Sequence, residues 1–166
     1  MRVGVALGSN LGDRLANLRA ARKAMVDLPG IRPPILFSSI YETEPVDCEP
    51  DANQFFNAVL EFDYEGDPQS LLRNLKAIES SLGRSGDHAR NVSRSIDVDL
   101  LYAADLQIDD ERLHLPHPRM HSRRFVLAPL VEIRPDLILP NQTKTVGQLL
   151  ANLDDPAGVV RREDQW

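Results

Sequence analysis

The chain has 166 residues, 42% hydrophobic and 27% charged, with a formal net charge of −6, the balance of one ordinary folded domain rather than of an extended disordered chain. That charge repels nucleic acid and anionic membrane surfaces, and so argues against general binding to either. Cys48 is the only cysteine, which rules out an internal disulfide. With no run near the ~18 apolar residues of a membrane span, a cytoplasmic protein is expected.

In chain order, Val3 to Leu7 reads as a short apolar strand stopped by Gly8-Ser-Asn10. A helix follows, because Leu11, Leu15, Leu18, Arg22 and Met25 fall near 3.6 spacing before Pro29-Gly30 ends it. Ile35–Tyr41 and Gln54–Phe62 are the next two strands, joined by an acidic loop with Pro45 and Pro50. Asp67 and Pro68 form an N-cap and N1 pair opening a second helix marked by Leu71, Leu72, Leu75, Ile78 and Leu82. Arg84 to Ser93 has no apolar periodicity and is expected as a mobile loop. It feeds a strand at Asp97–Leu101.

Beyond it, Leu106–Ile108 and Leu113–Leu115 suggest short strands, Pro129 the first residue of a helix to Ile133, and Thr145-Val-Gly-Gln148 a capping box opening a helix to about Leu153. The tail 154–166 is expected to fray, with Trp166 able to dock. The order β-α-β-β-α-β is the split βαβ, ferredoxin-like arrangement, an α+β domain over 1–166 whose antiparallel sheet is flanked by helices.

Arg94-Ser-Ile-Asp97-Val-Asp99-Leu-Leu101 is the informative stretch. Alternation puts Ile96, Val98 and Leu100 on one side and Asp97 and Asp99 on the other, with Cα atoms ~6.5 Å apart. At an effective dielectric of ~20 two such charges repel by roughly 2–3 kcal/mol, so a cation is expected between them. Mg²⁺ uses one or two carboxylates plus substrate phosphates. A solvated strand face with acids paired to arginine is the plainer alternative, and this fragment alone does not separate the two.

Positive groups surround it. Arg84, Arg90 and Arg94 precede the strand, and Arg112–Arg124 carries four arginines, three histidines and no acid. Phosphate transfer needs metal ions and arginine forks for charge neutralisation more than covalent help. Taken singly, each of these arginines is an ordinary solvated residue. A zinc site from His114, His117 and His121 is disfavoured by the intervening Pro116 and Pro118. Gly8-Ser-Asn-Leu-Gly12 at a strand-to-helix junction resembles a phosphate-cradling turn, yet it lacks a Walker lysine and reads first as a tight turn.

Gly8-Ser-Asn-Leu-Gly12, Tyr41-Glu-Thr-Glu-Pro45, Phe56-Asn-Ala-Val59, the Arg94–Leu101 stretch and Leu115-Pro-His117, followed by Arg123, Phe125 and Pro129-Leu, occur in order from about Val3 to Leu150. Together they resemble the 6-hydroxymethyl-7,8-dihydropterin pyrophosphokinases of folate biosynthesis. The resemblance implies transfer of the β,γ-pyrophosphoryl unit of ATP to the hydroxymethyl group of the pterin, releasing AMP. It also implies that Asp97 and Asp99 hold two Mg²⁺ ions. Arg84 and Arg94 would contact the phosphates, His117 and Arg123 the triphosphate, and Glu79 and Leu100 would lie by the nucleotide. Asn57 would hydrogen-bond the pterin, Phe55 and Phe125 face its ring, and Thr43, Glu44 and Val46 line its pocket.

The chain departs from the family pattern at Asn91-Val92-Ser93, where Trp-Gly-Pro is usual, at Lys76, where glutamine is frequent, and at Asp47 and Pro118. Small-molecule substrates and a monomer are expected. Two rival readings remain: a non-catalytic nucleotide- or pterin-binding relative, and a ferredoxin-like interaction module.

Overall fold

The structure, a computed structural model, describes residues 1–45, 53–83, 95–155, 157–163 and 165–166. Its elements run β1 (Arg2–Ser9), α1 (Arg14–Val26), β2 (Ile31–Phe37), β3 (Tyr41–Thr43), β4 (Phe55–Tyr64), α2 (Pro68–Ser81), β5 (Asp97–Ala103), β6 (Ile108–Asp109) and β7 (His114–Leu115). A 3-10 turn at Met120–Ser122, α3 (Arg124–Ile133), α4 (Val146–Ala151) and β8 (Val159–Arg161) complete the chain. The main sheet has the order β5-β1-β4-β3-β8, with β2 pairing the far half of β4, and β6 and β7 form a separate ladder. The pairs are antiparallel. With β2 and β3 taken as one interrupted strand, this is the ferredoxin-like α+β arrangement that the element order predicts. The prolines Pro33 and Pro34 cannot donate to the ladder, and the register of β2 on β4 slips across them, between Arg32 and Leu36.

The central strand β1 divides its side chains by size. Val3, Val5 and Leu7 join Leu18, Met25, Leu71, Leu75, Phe56, Leu60 and Val98 in a core under α1 and α2. Gly4, Ala6 and Gly8 alternate with them and so face the other side. There Val59, Leu101 and Tyr102 pack against Val126, Leu127 and Leu130 of α3 and Val146 of α4. At Gly4/Val5 the register on β5 shifts: Gly4 pairs Tyr102 while Val5 pairs Leu100. This bulge at Leu101 turns consecutive residues Leu101 and Tyr102 to the same side. A Cβ at Gly4 would stand 2.2 Å from Tyr102 Cε1, so only glycine there leaves room for the ring. The Tyr102 hydroxyl donates to buried Glu61 at 2.8 Å, which also accepts from Arg134 at 2.6 and 2.8 Å and from Arg2.

The caps at Asp67 and Thr145 form as the sequence predicts, the latter as a full capping box. Two expectations are corrected. α3 begins at Arg124 rather than Pro129, which stands inside the helix. No local cap announces that start, because Arg124 N–H donates to Asp155 Oδ2 at 3.3 Å, 31 residues away. The described part of the tail 154–166 is not frayed. β8 pairs β3 in register, Tyr41 with Arg161 and Thr43 with Val159. Trp166 Nε1 donates to Ser38 O at 2.8 Å, and its ring meets Phe37 edge-on at 6.1 Å. The loop expected over Arg84–Ser93 lies outside the described residues.

Candidate active site

The register of the sheet assembles one row of residues. Gly8 on β1 pairs Asn57 on β4 and Asp97 on β5, and Asn57 pairs Tyr41 on β3. One step along, Ala6 pairs Val59 and Asp99; at the other end Thr43 pairs Phe55. Directly paired antiparallel residues point to the same face, so Asp97, Asp99, Asn57, Phe55 and Thr43 share the side of the sheet that carries α3. Both acids are half-exposed. The shared facing of the two acids expected from i, i+2 spacing is therefore present, with glycine between them and Asn57.

Gly8 is the floor. A Cβ there would approach Asn57 Oδ1 to 3.0 Å, Phe55 Cδ1 to 3.9 Å and Asp97 Cβ to 4.0 Å. Asn57, 7% exposed, donates through Nδ2 to Thr43 Oγ1 at 2.7 Å, which fixes the flip of the amide and keeps Oδ1 over Gly8. The turn beyond β1 is held from within. Asn17 Nδ2 donates to Ser9 Oγ and to Leu11 O at 3.1 and 2.9 Å, while Ser9 Oγ donates to Ser95 O at 2.5 Å, just ahead of the acids. Gly12 has φ +66, and Asp13 caps α1 by accepting from Ala16 N. The tight-turn reading accounts for Gly12, whereas Gly8 lies within β1. A polar cleft of about 390 Å³ opens beside the turn, lined by Asn10, Gly12, Arg14, Asn53 and Gln54.

His117 and Arg123 come from the segment after β7. His117 N–H donates to Leu101 O on β5 at 2.7 Å, which docks the segment on the strand that carries the acids. Burial, with Arg123 and Arg119 nearby, lowers the His117 pKa to about 4 although Asp97 opposes the shift, so the ring is neutral at pH 7. Its Nδ1 accepts from Arg119 N–H at 3.2 Å, which places the ring proton on Nε2 as a donor for an anionic oxygen. The Arg123 guanidinium stands 5.3 Å from the Phe125 ring centroid. Phe125 is half-buried against the α3 core.

Glu79 on α2 is 1% exposed. Its Oε1 accepts from Val98 N–H at 2.7 Å, its Oε2 lies 3.0 Å from Lys76 Nζ, and Lys76 Nζ donates to Val98 O at 3.2 Å. Burial pushes its pKa up, against Lys76 and the Val98 N–H, and a hydrogen bond with Asp97 adds to the rise.

Leu100, expected beside the nucleotide, turns its side chain away from the acids. It is 4% exposed in the core under α1 and α2, on the face opposite the acids, so it offers a ligand only backbone atoms. Glu44 is exposed at the end of β3. Arg84, Arg94 and Val46 lie outside the described residues. The three histidines do not gather: His114 Nδ1 meets Asp109 at 2.6 Å on the β6–β7 ladder, and among the described residues no group of three or more His, Cys, Asp or Glu could hold a metal. A carboxylate pair suits Mg²⁺ that completes its shell with phosphate oxygens and water, and does not suit a closed structural site.

The sequence reading missed the floor and the clamp on Val98. Small residues at Gly4, Ala6 and Gly8, every second position of one strand, were the available signal for the floor.

The family model described as 7,8-dihydro-6-hydroxymethylpterin-pyrophosphokinase (HPPK) matches residues 4–135. The chain belongs to that family. A relative from Methylorubrum extorquens, named 2-amino-4-hydroxy-6-hydroxymethyldihydropteridine pyrophosphokinase, is 41% identical over 162 residues, covering 98% of this chain and 99% of its own. One of the same name from Bacillus subtilis is 43% identical over 129 residues, 78% of this chain and 75% of its own. Among solved structures, wild-type HPPK-DHPS of Plasmodium falciparum superposes with a TM-score of 0.69 at 14% identity over 90% of this chain. That likeness is of fold alone, and the chain spans 44% of that longer protein.

Proposed function

We propose that the chain transfers the β,γ-pyrophosphoryl unit of ATP to 6-hydroxymethyl-7,8-dihydropterin, the pterin step of folate biosynthesis. The hydroxymethyl oxygen bonds to Pβ, the bond from Pβ to the oxygen bridging it to Pα breaks, that oxygen leaves on AMP, and the hydroxyl proton goes to solvent. The observation that carries this reading is the row Asp97–Gly8–Asn57 on one sheet face, which sets a paired-acid end beside an amide-and-aromatic end across a residue with no side chain.

Asn57, fixed by Thr43, presents Oδ1 to the donor edge of a flat heterocycle, and Phe55 and Phe125 supply apolar ring faces. Asp97 and Asp99 would hold two Mg²⁺ ions, which when bound neutralise phosphate charge. His117, neutral with its proton on Nε2, and Arg123 donate to the triphosphate. Arg84 and Arg94 are assigned to the phosphates from sequence alone. Acceleration comes from holding the two substrates in register and from electrostatics, with no general base among these residues. A cytoplasmic location is part of this proposal, supported by the supply of the co-substrate ATP there. One chain supplies every described residue of the row, so a monomer suffices.

Mixing the protein with MgATP and the hydroxymethyl pterin and resolving the nucleotides by chromatography tests this. AMP forming only when both are present is expected. ADP as product, or no nucleotide turnover, would overturn it, and metal-dependent binding of an ATP analogue in calorimetry would then separate a non-catalytic relative from an interaction module.

A further inference from the structure

Among the described residues β5 is an edge strand, flanked only by β1 in the main sheet. Its inner side is fixed by the pairs Gly8–Asp97 and Ala6–Asp99. Its outer side would leave Val98, the residue between the two acids, with an unpaired N–H and C=O, the arrangement that lets an edge fray. α2 supplies both missing partners. Glu79 takes the N–H at 2.7 Å and Lys76 the C=O at 3.2 Å, and the two side chains are themselves 3.0 Å apart. They stand three residues apart on a helix, so they lie side by side on one of its faces. The helix is rigid where they leave it: Leu71, Leu75 and Ile78 are in the core and Asp67 caps the first turn.

We propose that Lys76 and Glu79 are positioning residues whose joint grip on Val98 sets the backbone angle between Asp97 and Asp99, and with it the spacing at which the two carboxylates meet Mg²⁺. This rests on the reading that those acids hold the metal. The φ and ψ of Val98 link the Cα–Cβ directions of its two neighbours, so a loosened Val98 splays the carboxylates without unfolding the sheet. Glu79 is thereby a second carboxylate layer behind the metal pair, which tunes affinity without touching the ion.

The full-length protein, with Mn²⁺ in place of Mg²⁺ and α,β-methylene ATP, allows free and bound metal to be counted by electron paramagnetic resonance. Glu79→Ala should weaken Mn²⁺ binding about 10-fold. Glu79→Gln keeps an oxygen for the Val98 N–H and should stay within about 3-fold of the wild type, and Lys76→Met, which loses one hydrogen bond, should cost about 3-fold. Lys76→Met should bind the analogue normally without metal. Wild-type affinity in Glu79→Ala, or a Glu79→Gln protein as weak as Glu79→Ala, overturns the positioning role. Should Glu79→Ala fail to fold by circular dichroism, unchanged Mn²⁺ affinity in Lys76→Met overturns it instead. A wild-type protein that binds no Mn²⁺ overturns the metal reading itself.

Discussion

At Gly8 a single methyl group would stand 3.0 Å from the amide oxygen of Asn57, and the backbone there is not in the left-handed region, so the cost of Gly8→Ala falls on the ligand rather than on the fold. The variant should raise KM for the pterin several-fold while KM for MgATP changes little, because the amide tied to Thr43 must give by a few tenths of an ångström. Steady-state assays varying each substrate in turn check this, and an equal rise in both constants would contradict it. Asp97→Asn or Asp99→Asn should lower AMP release by roughly 100-fold or more with an unchanged circular dichroism spectrum. The facing of these acids was legible from the sequence because strand alternation is strictly local, needing only Ile96, Val98 and Leu100 as apolar markers. Glu79 was assigned by resemblance to the nucleotide, whereas its hydrogen bond to Val98 depends on how α2 docks, which no spacing encodes.

Among elements, β3 and β8 are tied to each other by a carboxylate on each face. On one face Glu132 of α3 accepts from Ser39 N and Oγ, both at 2.8 Å, from Tyr41 OH at 3.1 Å and from Arg161 at 3.0 Å. On the other, Glu42 holds Arg14 and Arg162, each at 3.1 Å. Since β3 carries Thr43, the tail is part of the scaffold behind the amide pocket. Glu132→Ala strands several donors and should cost roughly 1–3 kcal/mol of stability, read from urea midpoints at unchanged m-value. A midpoint equal to that of the wild type would mean that β8 is held otherwise. The tail escaped the sequence reading because Val159-Val-Arg161 is too short to show a period, and because its partners lie more than a hundred residues upstream. α3 was misplaced for a related reason: proline at the first helical position is the common pattern, while Asp155 supplies the real start from a distance. The starts of the helices capped at Asp67 and Thr145 were legible to the residue, whereas the cap of α1 at Asp13 was not read.

For the molecule as a whole, the α3 side of the sheet has two ends, a half-open one at Asp97 and Asn57 and a closed one at Glu61. Burial opposes the charge of Glu61, but hydrogen bonds from Arg134, Arg2 and Tyr102 outweigh it and hold its pKa below the ordinary glutamate value. With the folded value depressed, this contribution is complete above the unfolded pKa of about 4.3 and is lost as pH falls through the folded value. Stability to urea should therefore drop from pH 5 toward pH 3, and more shallowly in Glu61→Gln; parallel curves would remove Glu61 from the acid response. Glu61→Ala leaves two guanidinium groups without their carboxylate and should cost roughly 3–5 kcal/mol. Asn57 and Glu61 are four residues apart on β4, about 13 Å, beyond the 7–10 Å within which substitutions usually couple. The bulge at Leu101 widens that division, because it swings Tyr102 toward the closed end and leaves the acids at the other. A breeder of thermotolerant variants therefore has a region to alter that leaves substrate preference alone, and an inhibitor chemist has a target whose escape mutations need not weaken the protein.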